Sequence, residues 1–459
     1  MFKKILIANR GEIALRVLRA CKELGIETVC IYSKEDKEQL HVKLSDYAYC
    51  VGENSPTHSY LNINAIVTIA IKTGCDAVHP GYGFLSENAN FAKILEENNI
   101  KFIGPNSKTI KLMGDKLQAR NLMLKHNIPI VPGSDNISNF SEAKEFAKKI
   151  GYPILIKAAK GGGGKGMRKV FNENELENAF LSAKKESLEA FSSDELYIEK
   201  LILNPKHIEF QIIRDSFGNC IHLGERHCSI QRKNQKMLEE APYKFMDDNL
   251  RKTMGDIAVK IANISNYENV GTIEFILDEN NNFYFIEMNT RLQVEHPVTE
   301  MITGIDLVKE QLKIASKVRL NYTQQDINFD GHSIEIRLNS EDPLNNFFPS
   351  SGNIDFLFSL GGFNVRFDTY IYNGSNISPF YDSMLGKIIV KGKTRLEAIK
   401  KLRTTIENTI ISGVKTNLSY QYSILHTKDF IKGDYDTNFI EKNHKEILKW
   451  INDIEEFND

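Results

Sequence analysis

Two glutamates in neighbouring apolar segments are the first residues whose types and spacing could do chemistry. Glu274 lies within the run 271–277 and Glu287 within 283–289, and the residues between these runs are typical of a turn. If residues 280–281 form a two-residue turn, the antiparallel register places Glu274 directly opposite Glu287. Facing carboxylates repel each other, and apolar strands add a desolvation cost. The pair is therefore either exposed, with its charges in solvent or beside lysines, or bound to a cation.

A divalent cation accounts for more of the local sequence. The same register places Asn289 and Arg291 on the Glu287 face of the hairpin, because side chains alternate along a strand. Glu274, Glu287 and Asn289 then offer only oxygen ligands, and this favours Mg²⁺ or Mn²⁺ over zinc. The sequence predicts a magnesium site on this hairpin.

The segment after the hairpin adds groups that could bind an anion and accept a proton. Arg291, Gln293 and Glu295 alternate in sequence, as an extended segment would present them to one side. A guanidinium, an amide and a carboxylate can together bind a small oxyanion and remove its proton. The alternative is an ordinary ion pair between Glu295 and Arg291.

A glycine-rich loop, KGGGGKG at 160–166, separates two predicted strands at 153–158 and 167–171. A dinucleotide fingerprint needs a helix directly after the loop, and a P-loop ends in Gly-Lys-Ser/Thr; neither pattern is present. The backbone N–H groups could instead fold over phosphate oxygens, with cationic side chains nearby from Lys157, Lys160, Lys165 and Arg168. From the loop alone, a flexible surface hairpin with solvated lysines is the better interpretation.

The elements that must position these residues form three regions. Before about Gly114, short apolar strands alternate with helices, at 4–9, 27–32, 76–80 and 101–103. This alternation is typical of an open parallel sheet covered on both faces. A connecting helix at 115–130, a small α+β module and a strand-rich part from about residue 204 follow, and a third region of strands, turns and helices begins after residue 330.

The composition indicates a globular chain without a general affinity for polyanions. Of 459 residues, 41% are hydrophobic and 26% charged, and the formal net charge is −2, so a broad basic field for nucleic acid or anionic membranes is absent. The six cysteines form no CxxC pair, which predicts buried thiols in a reducing compartment. No apolar run approaches the roughly 20 residues that span a bilayer, and the first apolar stretch is too short for a signal peptide. We expect a cytoplasmic protein.

Five segments, taken together, resemble the biotin carboxylases. They read IANRGEIA at 7–14, HPGYGFLSEN at 79–88, GGGGKGMR at 161–168, FIEMNTRLQVEHPVTE at 285–300 and FYDSMLGK at 380–387. The 285–300 block is highly specific to this family, whereas the glycine loop alone marks the wider ATP-grasp superfamily. The resemblance extends from the first strand to about residue 446.

The resemblance implies a three-part fold of α/β and α+β type. Its parts are a preATP-grasp open parallel sheet at 1–114, an ATP-grasp domain at 115–330 with a mobile lid at about 131–203, a C-terminal α+β domain at 331–446, and a charged tail at 447–459.

The resemblance also implies an ADP-forming ligase that makes a C–N bond. It would carboxylate biotin on a biotin carboxyl carrier protein through carboxyphosphate, in the first half-reaction of acetyl-CoA carboxylase and so in fatty acid biosynthesis. ATP and Mg²⁺ or Mn²⁺ would be required, with bicarbonate and carrier-bound biotin as substrates. Carboxyltransferase subunits would be further partners, and the family's dimers imply a homodimer. The chain holds no biotin-accepting Met-Lys-Met segment, so we expect the carrier to be a separate protein.

Matched motif by motif, the resemblance implies roles for individual residues. Glu295 would be the base, Arg337 would stabilise the biotin enolate, and Tyr82 would lie near the biotin. The bicarbonate site would comprise Lys236, Arg291, Gln293, Val294 and Glu295. The magnesium ligands would be Glu274 and Glu287, with Asn289 beside them. The nucleotide contacts would comprise Lys116, Lys157, Gly163, Gly164, Glu199, Lys200, Leu201, Ile202, His207, Gln231 and Glu274.

One departure from the family pattern concerns the nucleotide. Asn234 stands where the family has a histidine that helps to hold ATP; its amide can hydrogen-bond but cannot carry a charge. Three alternatives to the acetyl-CoA carboxylase assignment stay open. They are a biotin carboxylase subunit of another acyl-CoA or pyruvate carboxylase, another ATP-grasp carboxylate ligase, and a nucleotide-binding regulator without turnover.

Overall fold

A five-stranded parallel sheet organises the first 114 residues of the computed structural model, which describes residues 1–159, 166–359 and 361–458. The strand order is β3-β2-β1-β4-β5, and every pairing is parallel. The elements of this region are β1 Lys4–Ile7, α1 Gly11–Glu23, β2 Glu27–Ser33, α2 Leu40–Leu44, β3 Tyr47–Gly52, α3 Ile63–Lys72, β4 Ala77–His79, α4 Ala89–Glu97, β5 Lys101–Phe102 and α5 Ser107–Gly114.

The predicted open parallel sheet is confirmed, with one strand that the sequence pattern did not reveal. Strand β3 lies at the edge of the sheet, and most of its residues are exposed or half-buried, so it lacks the apolar run of a central strand. Cys50 on this strand is exposed and Cys220 is half-buried, contrary to the prediction of buried thiols, whereas the other four cysteines are buried.

A small α+β module follows, with a core of its own. Helix α6 Lys116–Lys125 precedes the module, and its Ala119 and Met123 pack in the core of the central sheet. The elements of the module are α7 Phe140–Ile150, β6 Ile154–Ala158, β7 Arg168–Val170, α8 Glu173–Phe191 and β8 Leu196–Lys200. The strands form an antiparallel sheet in the order β7-β6-β8, so the two strands on either side of the glycine loop pair with each other as predicted. The loop itself, with Gly163, Gly164 and the lysines at 160 and 165, lies outside the described residues.

An antiparallel sheet of eight strands joins the centre of the chain to its C-terminal part. Its order is β13-β12-β9-β10-β11-β14-β21-β19. The central elements are β9 Lys206–Arg214, β10 Cys220–Arg232, β11 Gln235–Ala241, α9 Asp248–Ile264, β12 Asn269–Leu277, β13 Phe283–Asn289, α10 His296–Thr303 and α11 Leu307–Ala315. The sheet continues across residue 330, because β11 pairs with β14 from the C-terminal region.

The C-terminal region adds the last strands of this sheet, three two-stranded ribbons and a layer of helices. Its elements are β14 His332–Asn339, β15 Glu341–Asp342, β16 Phe348–Pro349, β17 Gly352–Asn353, β18 Phe356–Phe358, β19 Val365–Thr369, β20 Asn376–Ile377, β21 Met384–Gly392, α12 Arg395–Glu407, β22 Ile410–Ser412, α13 Leu418–Ile424, α14 Lys428–Lys432 and α15 Phe439–Asn458. Within the three described ranges, none of the helices has the length and apolar character needed to traverse a bilayer.

In the hairpin of β12 and β13, Glu274 and Glu287 are paired as predicted, but the loop that connects the strands differs from the predicted one. Glu274 lies opposite Glu287, but the connection is not a two-residue turn, since Leu277 pairs with Phe283. A bulge between the Glu274 and Phe275 pairs then shifts the register by one residue. The longer loop and the bulge offset each other, so the two carboxylates meet across the strands.

Candidate functional site

Lys236 on β11 lies among three buried carboxylates of the eight-stranded sheet and its adjoining loop. Its Nζ donates to Glu209 Oε2 at 2.5 Å, to Glu274 Oε1 at 2.9 Å and to Glu295 Oε1 at 2.7 Å. Glu209 and Glu274 come from the adjacent strands β9 and β12, where they are directly opposite each other. The three glutamates are at most 5% exposed, so their charges depend on internal partners.

The electrostatics of this cluster favour its charged forms. Burial alone would lower the pKa of Lys236, but the surrounding carboxylates raise it well above its usual range. Burial alone would raise the pKa of Glu274 and of Glu295, but the Lys236 ammonium holds both well below the usual carboxyl range, with help from His207 and Arg337 respectively. At neutral pH the cluster therefore holds ionised carboxylates beside a cation.

The predicted magnesium ligands include two facing acids, Glu274 and Glu287, of which Glu287 has the longer cationic contact. Glu287, whose side chain is 36% exposed, has Lys116 Nζ at 4.0 Å as its cationic neighbour. Crowding by protein atoms and the facing Glu274 carboxylate raise the pKa of Glu287. Asn289 donates its amide to Glu274 Oε1 at 2.9 Å. A divalent cation would relieve the repulsion between the two carboxylates, so the donor set fits Mg²⁺. The ligand assignment stays a prediction.

The segment after the hairpin is not extended, contrary to the prediction. β13 ends at Asn289, an irregular stretch with a turn at 294–295 follows, and α10 begins at His296. The structure nevertheless brings Gln293 and Glu295 into the cluster and Arg291 next to it, where Arg291 Nη2 donates to Asn289 Oδ1 at 3.1 Å. Gln293 Nε2 donates to Glu274 Oε1 at 2.8 Å. The alternative of a Glu295–Arg291 ion pair is not what the structure contains, since Arg291 Nε donates to Glu87 Oε2 at 2.9 Å.

Arg337 on β14 connects the carboxylate cluster to a cavity. Its Nη2 donates to Glu295 Oε2 at 2.9 Å and its Nε donates to Glu239 Oε1 at 2.8 Å. The cavity has a volume of about 460 Å³, and the predicted site residues Tyr82, Arg291, Val294 and Arg337 all line it. It is large enough for a small bicyclic ligand.

A buried acid completes the wall of this cavity beside Tyr82. The Tyr82 hydroxyl donates to Glu12 Oε1, which also accepts from Lys387 Nζ at 3.2 Å. Lys387 is fully buried and donates to the Val294 carbonyl at 2.7 Å. This lysine thus ties the turn before Glu295 to the N-terminal region.

The predicted nucleotide residues divide into two groups, one in and next to the small module and the other on the eight-stranded sheet. Lys157 Nζ donates to Glu199 Oε2 at 2.6 Å, and the carboxylate raises the pKa of Lys157 against the opposing effect of burial. Lys200 Nζ donates to the Gly151 and Tyr152 carbonyls at 3.0 and 2.9 Å, so its charge faces backbone. Leu201 N donates to Pro153 O at 3.1 Å, and Ile202 follows it in the same irregular segment.

The second group lies on β9 and β10, close to the carboxylate cluster. His207 Nε2 is 3.1 Å from Glu274 Oε2, and its Nδ1 is 3.0 Å from Gln231 Nε2. Asn234 lies at the tip of the β10–β11 hairpin, where it is exposed and has a φ of 64°. The left-handed region suits asparagine, so the turn itself accounts for this residue type.

Several charged residues of the site were missed in the sequence. Arg226 on β10 is fully buried and donates to Glu209 Oε1 at 2.5 Å and Gln293 Oε1 at 2.9 Å. Glu239 holds Arg337, and Glu87 holds Arg291. The available signal was the alternation of polar and apolar residues in β9, which marks a polar sheet face whose groups must be satisfied internally. The sequence of β11 does not alternate and offered no such signal.

Three family descriptions cover most of the chain. Residues 1–110 match the family described as "Biotin carboxylase, N-terminal domain", residues 115–323 match "Carbamoyl-phosphate synthase L chain, ATP binding domain", and residues 335–442 match "Biotin carboxylase C-terminal domain".

Relatives and solved structures of similar length agree with these matches. Biotin carboxylase 1 of Bacillus subtilis is 50% identical over 443 residues, which is 96% of this chain and 98% of the relative. The 2-oxoglutarate carboxylase small subunit of Hydrogenobacter thermophilus is 51% identical, with 96% and 94% coverage. The biotin carboxylase domain dimer of the latter carboxylase, solved with MgADP, ADP and bicarbonate, superposes with a TM-score of 0.95 at 50% identity, covering 98% and 99% of the two chains. Campylobacter jejuni biotin carboxylase, solved as a β-γ-ATP complex, superposes with a TM-score of 0.94 at 47% identity, and the match covers 96% of this chain and 99% of that one.

Proposed function

This chain belongs to the biotin carboxylase family, and we propose that it carboxylates carrier-bound biotin with ATP and bicarbonate through carboxyphosphate. The observation that carries the proposal is the contact of Glu295 with both Lys236 and Arg337, beside the cavity that Arg291 and Tyr82 line. A base, two cations and space for a small ring system are thereby joined in one place.

Glu295 is the proposed base, and bicarbonate is the substrate from which it would take a proton. Lys236 and Arg291 would bind the oxygens of bicarbonate, and their positive charge would favour the loss of its proton. Burial raises the pKa of Glu295, but Lys236 and Arg337 lower it well below the usual carboxyl range. Glu295, whose Oε1 accepts from Lys236 Nζ at 2.7 Å, would then accept that proton. The deprotonated carbonate then attacks the γ-phosphorus of ATP.

The proposed phosphate-binding groups are two lysines, one on α6 and one on β6. Lys157 and Lys116 would bind the triphosphate, together with the backbone of Gly163 and Gly164. Glu274, Glu287 and Asn289 would hold Mg²⁺, which neutralises charge on the transferred phosphoryl group. The adenine would lie along 199–202, near His207 and Gln231, with Asn234 at the edge.

Later steps depend on Arg337 and on exclusion of water. Carboxyphosphate hydrolyses in bulk water, so we propose that the module at about 131–203 closes as a lid over the site. Arg337, already in the cavity wall, would stabilise the enolate-like anion of biotin while it attacks CO₂. The proposed domains are those expected from the sequence, at 1–114, 115–330 and 331–446, followed by the charged tail at 447–459, into which helix α15 continues.

The proposed partners follow from the family. We propose a homodimer in the cytoplasm that receives biotin on a separate carrier protein and works with carboxyltransferase subunits. Acetyl-CoA, in fatty acid biosynthesis, is the acceptor that we propose. Relatives named as subunits of pyruvate carboxylase and 2-oxoglutarate carboxylase define the competing acceptors. Purifying the biotinylated partner and assaying the assembled complex with the three acceptors distinguishes them.

The central test is bicarbonate-dependent ATP cleavage by the purified chain with free biotin. We expect activity that requires bicarbonate, increases with biotin, and is lost in Glu295→Gln and Arg291→Ala. Glu310→Gln is the matched control, because this glutamate is also buried but pairs with Lys313 on α11. ATP cleavage that is indifferent to bicarbonate would overturn the proposal. ATP cleavage that depends on an amino acid or another carboxylate, and not on bicarbonate, would indicate another ATP-grasp ligase.

A further inference from the structure

Two buried glutamates beside the site have no role in the mechanism above. Glu239 on β11 and Glu335 on β14 are directly opposite each other in the antiparallel ladder, and both are fully buried. Neither oxygen of Glu335 makes a hydrogen bond within the described part of the chain, and Glu239 Oε2 makes none there either. Adjacent carboxylates in a sheet repel each other, and burial without hydrogen bonds makes two full charges still more costly.

The pair is connected to the proposed base through one guanidinium. Glu239 Oε1 lies 2.8 Å from Arg337 Nε and 2.7 Å from Arg337 Nη2, and the same Nη2 lies 2.9 Å from Glu295 Oε2. Arg337 therefore contacts Glu239 of the pair through Nε and Nη2, and the base through Nη2.

Resting on the function proposed above, we propose that Glu239 and Glu335 share one proton and act as a positioning pair for Arg337. The single negative charge, on Glu239, holds the guanidinium between the pair and Glu295. The proton removes the second charge, which would otherwise attract Arg337 away from the base and from the cavity.

The charged surroundings agree with one shared proton. Burial and the charge of Glu239 raise the pKa of Glu335 well above its usual range, and burial raises the pKa of Glu239 to about 7. The charged groups that face the pair are Arg337 on β14, Lys387 on β21, Lys236 on β11 and Glu295 from the loop before α10. Helix α10 also packs on these strands; burial keeps its His296 neutral, and its Glu300 pairs with Arg16 and Arg366.

Infrared spectroscopy tests the proton without relying on catalysis. The spectrum of the wild type minus that of Glu335→Gln near neutral pH is expected to contain the C=O stretch of a protonated carboxylic acid, which disappears as the pH is raised. Glu335→Leu, which removes the same carboxyl group, provides a second difference spectrum in case Glu335→Gln does not fold. Absence of the band from the difference spectra would overturn the proposal, whether or not the chain carboxylates biotin.

The pH profile of bicarbonate-dependent ATP cleavage tests the positioning role. A glutamine at 335 can donate to Glu239 but cannot lose a proton, so we expect the alkaline limb of kcat to move up by at least about one pH unit, a tenfold change in the ionisation constant. Glu239→Gln removes the anchor of Arg337 and should lower kcat at least about tenfold at every pH. The profile of Glu310→Gln should superimpose on that of the wild type. An unmoved alkaline limb in a folded Glu335→Gln, with the infrared band present, would show that the pair shares a proton without positioning Arg337, and would overturn the role.

Discussion

Replacing Lys236 by methionine removes an ammonium that contacts three buried carboxylates. Its Nζ lies 2.5 Å from Glu209, 2.9 Å from Glu274 and 2.7 Å from Glu295. At an effective dielectric constant of about 20, one such contact corresponds to roughly 6 kcal/mol of Coulomb energy before desolvation is subtracted. The net effect must be smaller, because each carboxylate keeps another partner; these partners are Arg226, His207 and Arg337.

We therefore expect Lys236→Met to lower the free energy of unfolding by the cost of one broken buried ion pair, about 3–5 kcal/mol near pH 8. In the wild type, the lowered pKa values of Glu274 and Glu295 contribute stability that is present above the unfolded pKa and is lost as the pH falls through the folded pKa. Without the ammonium these carboxylates bind protons more readily. The difference between variant and wild type should therefore shrink as the pH falls towards about 5.

Denaturant unfolding followed by circular dichroism, at the two pH values, measures this difference. Lys252→Met is the matched control, because Lys252 Nζ is 2.6 Å from Asp256 but its side chain is 76% exposed. The control should change stability by no more than about 0.5 kcal/mol. A loss below about 1 kcal/mol in Lys236→Met, or a loss of equal size at both pH values, would refute the reasoning.

Three further predictions follow from other contacts. Glu295→Gln should lower kcat for bicarbonate-dependent ATP cleavage about 10²–10⁴-fold with little change in the KM for ATP, and a loss confined to KM would contradict its role as base. Glu287→Gln should raise the Mg²⁺ concentration for half-maximal activity at least about tenfold, because one of two facing carboxylates is removed; an unchanged requirement would contradict the metal assignment. Tyr60→Phe deletes a buried hydroxyl that donates to Asp36 Oδ2 at 2.6 Å, and should lower stability by about 1–3 kcal/mol in thermal unfolding. An unchanged thermal stability would show that the hydrogen bonds from Arg10 are enough for Asp36.

The fold class could be predicted because local patterns and family motifs point to the same architecture. Strands β1, β2, β4 and β5 are short apolar runs separated by helical periods, which is the pattern of a buried parallel sheet. The edge strand β3 was missed, because an edge strand needs no apolar run. Helix α7 was missed as well, although Asn139 caps its first turn by accepting from Glu142 N.

The site was predictable in its chemistry and less so in its contacts. The pairing of Glu274 with Glu287 follows from strand alternation only when the loop and the bulge offset each other, and a bulge has no reliable signal in one sequence. The partners of the predicted residues, such as Glu209, Glu239 and Glu87, come from distant elements. Which charged side chains meet in a core depends on tertiary packing, so sequence spacing alone could not name them.

The pairing of β11 with β14 has a practical consequence for anyone who divides this chain. The register from Leu238 opposite Ile336 to Ala241 opposite Ser333 runs across residue 330. A fragment that stops there would present an open row of backbone donors and acceptors, and fragments of that kind tend to aggregate. It would also lack Arg337. A chimaera with a relative would best exchange whole sheets, so that both strands of this ladder come from one parent.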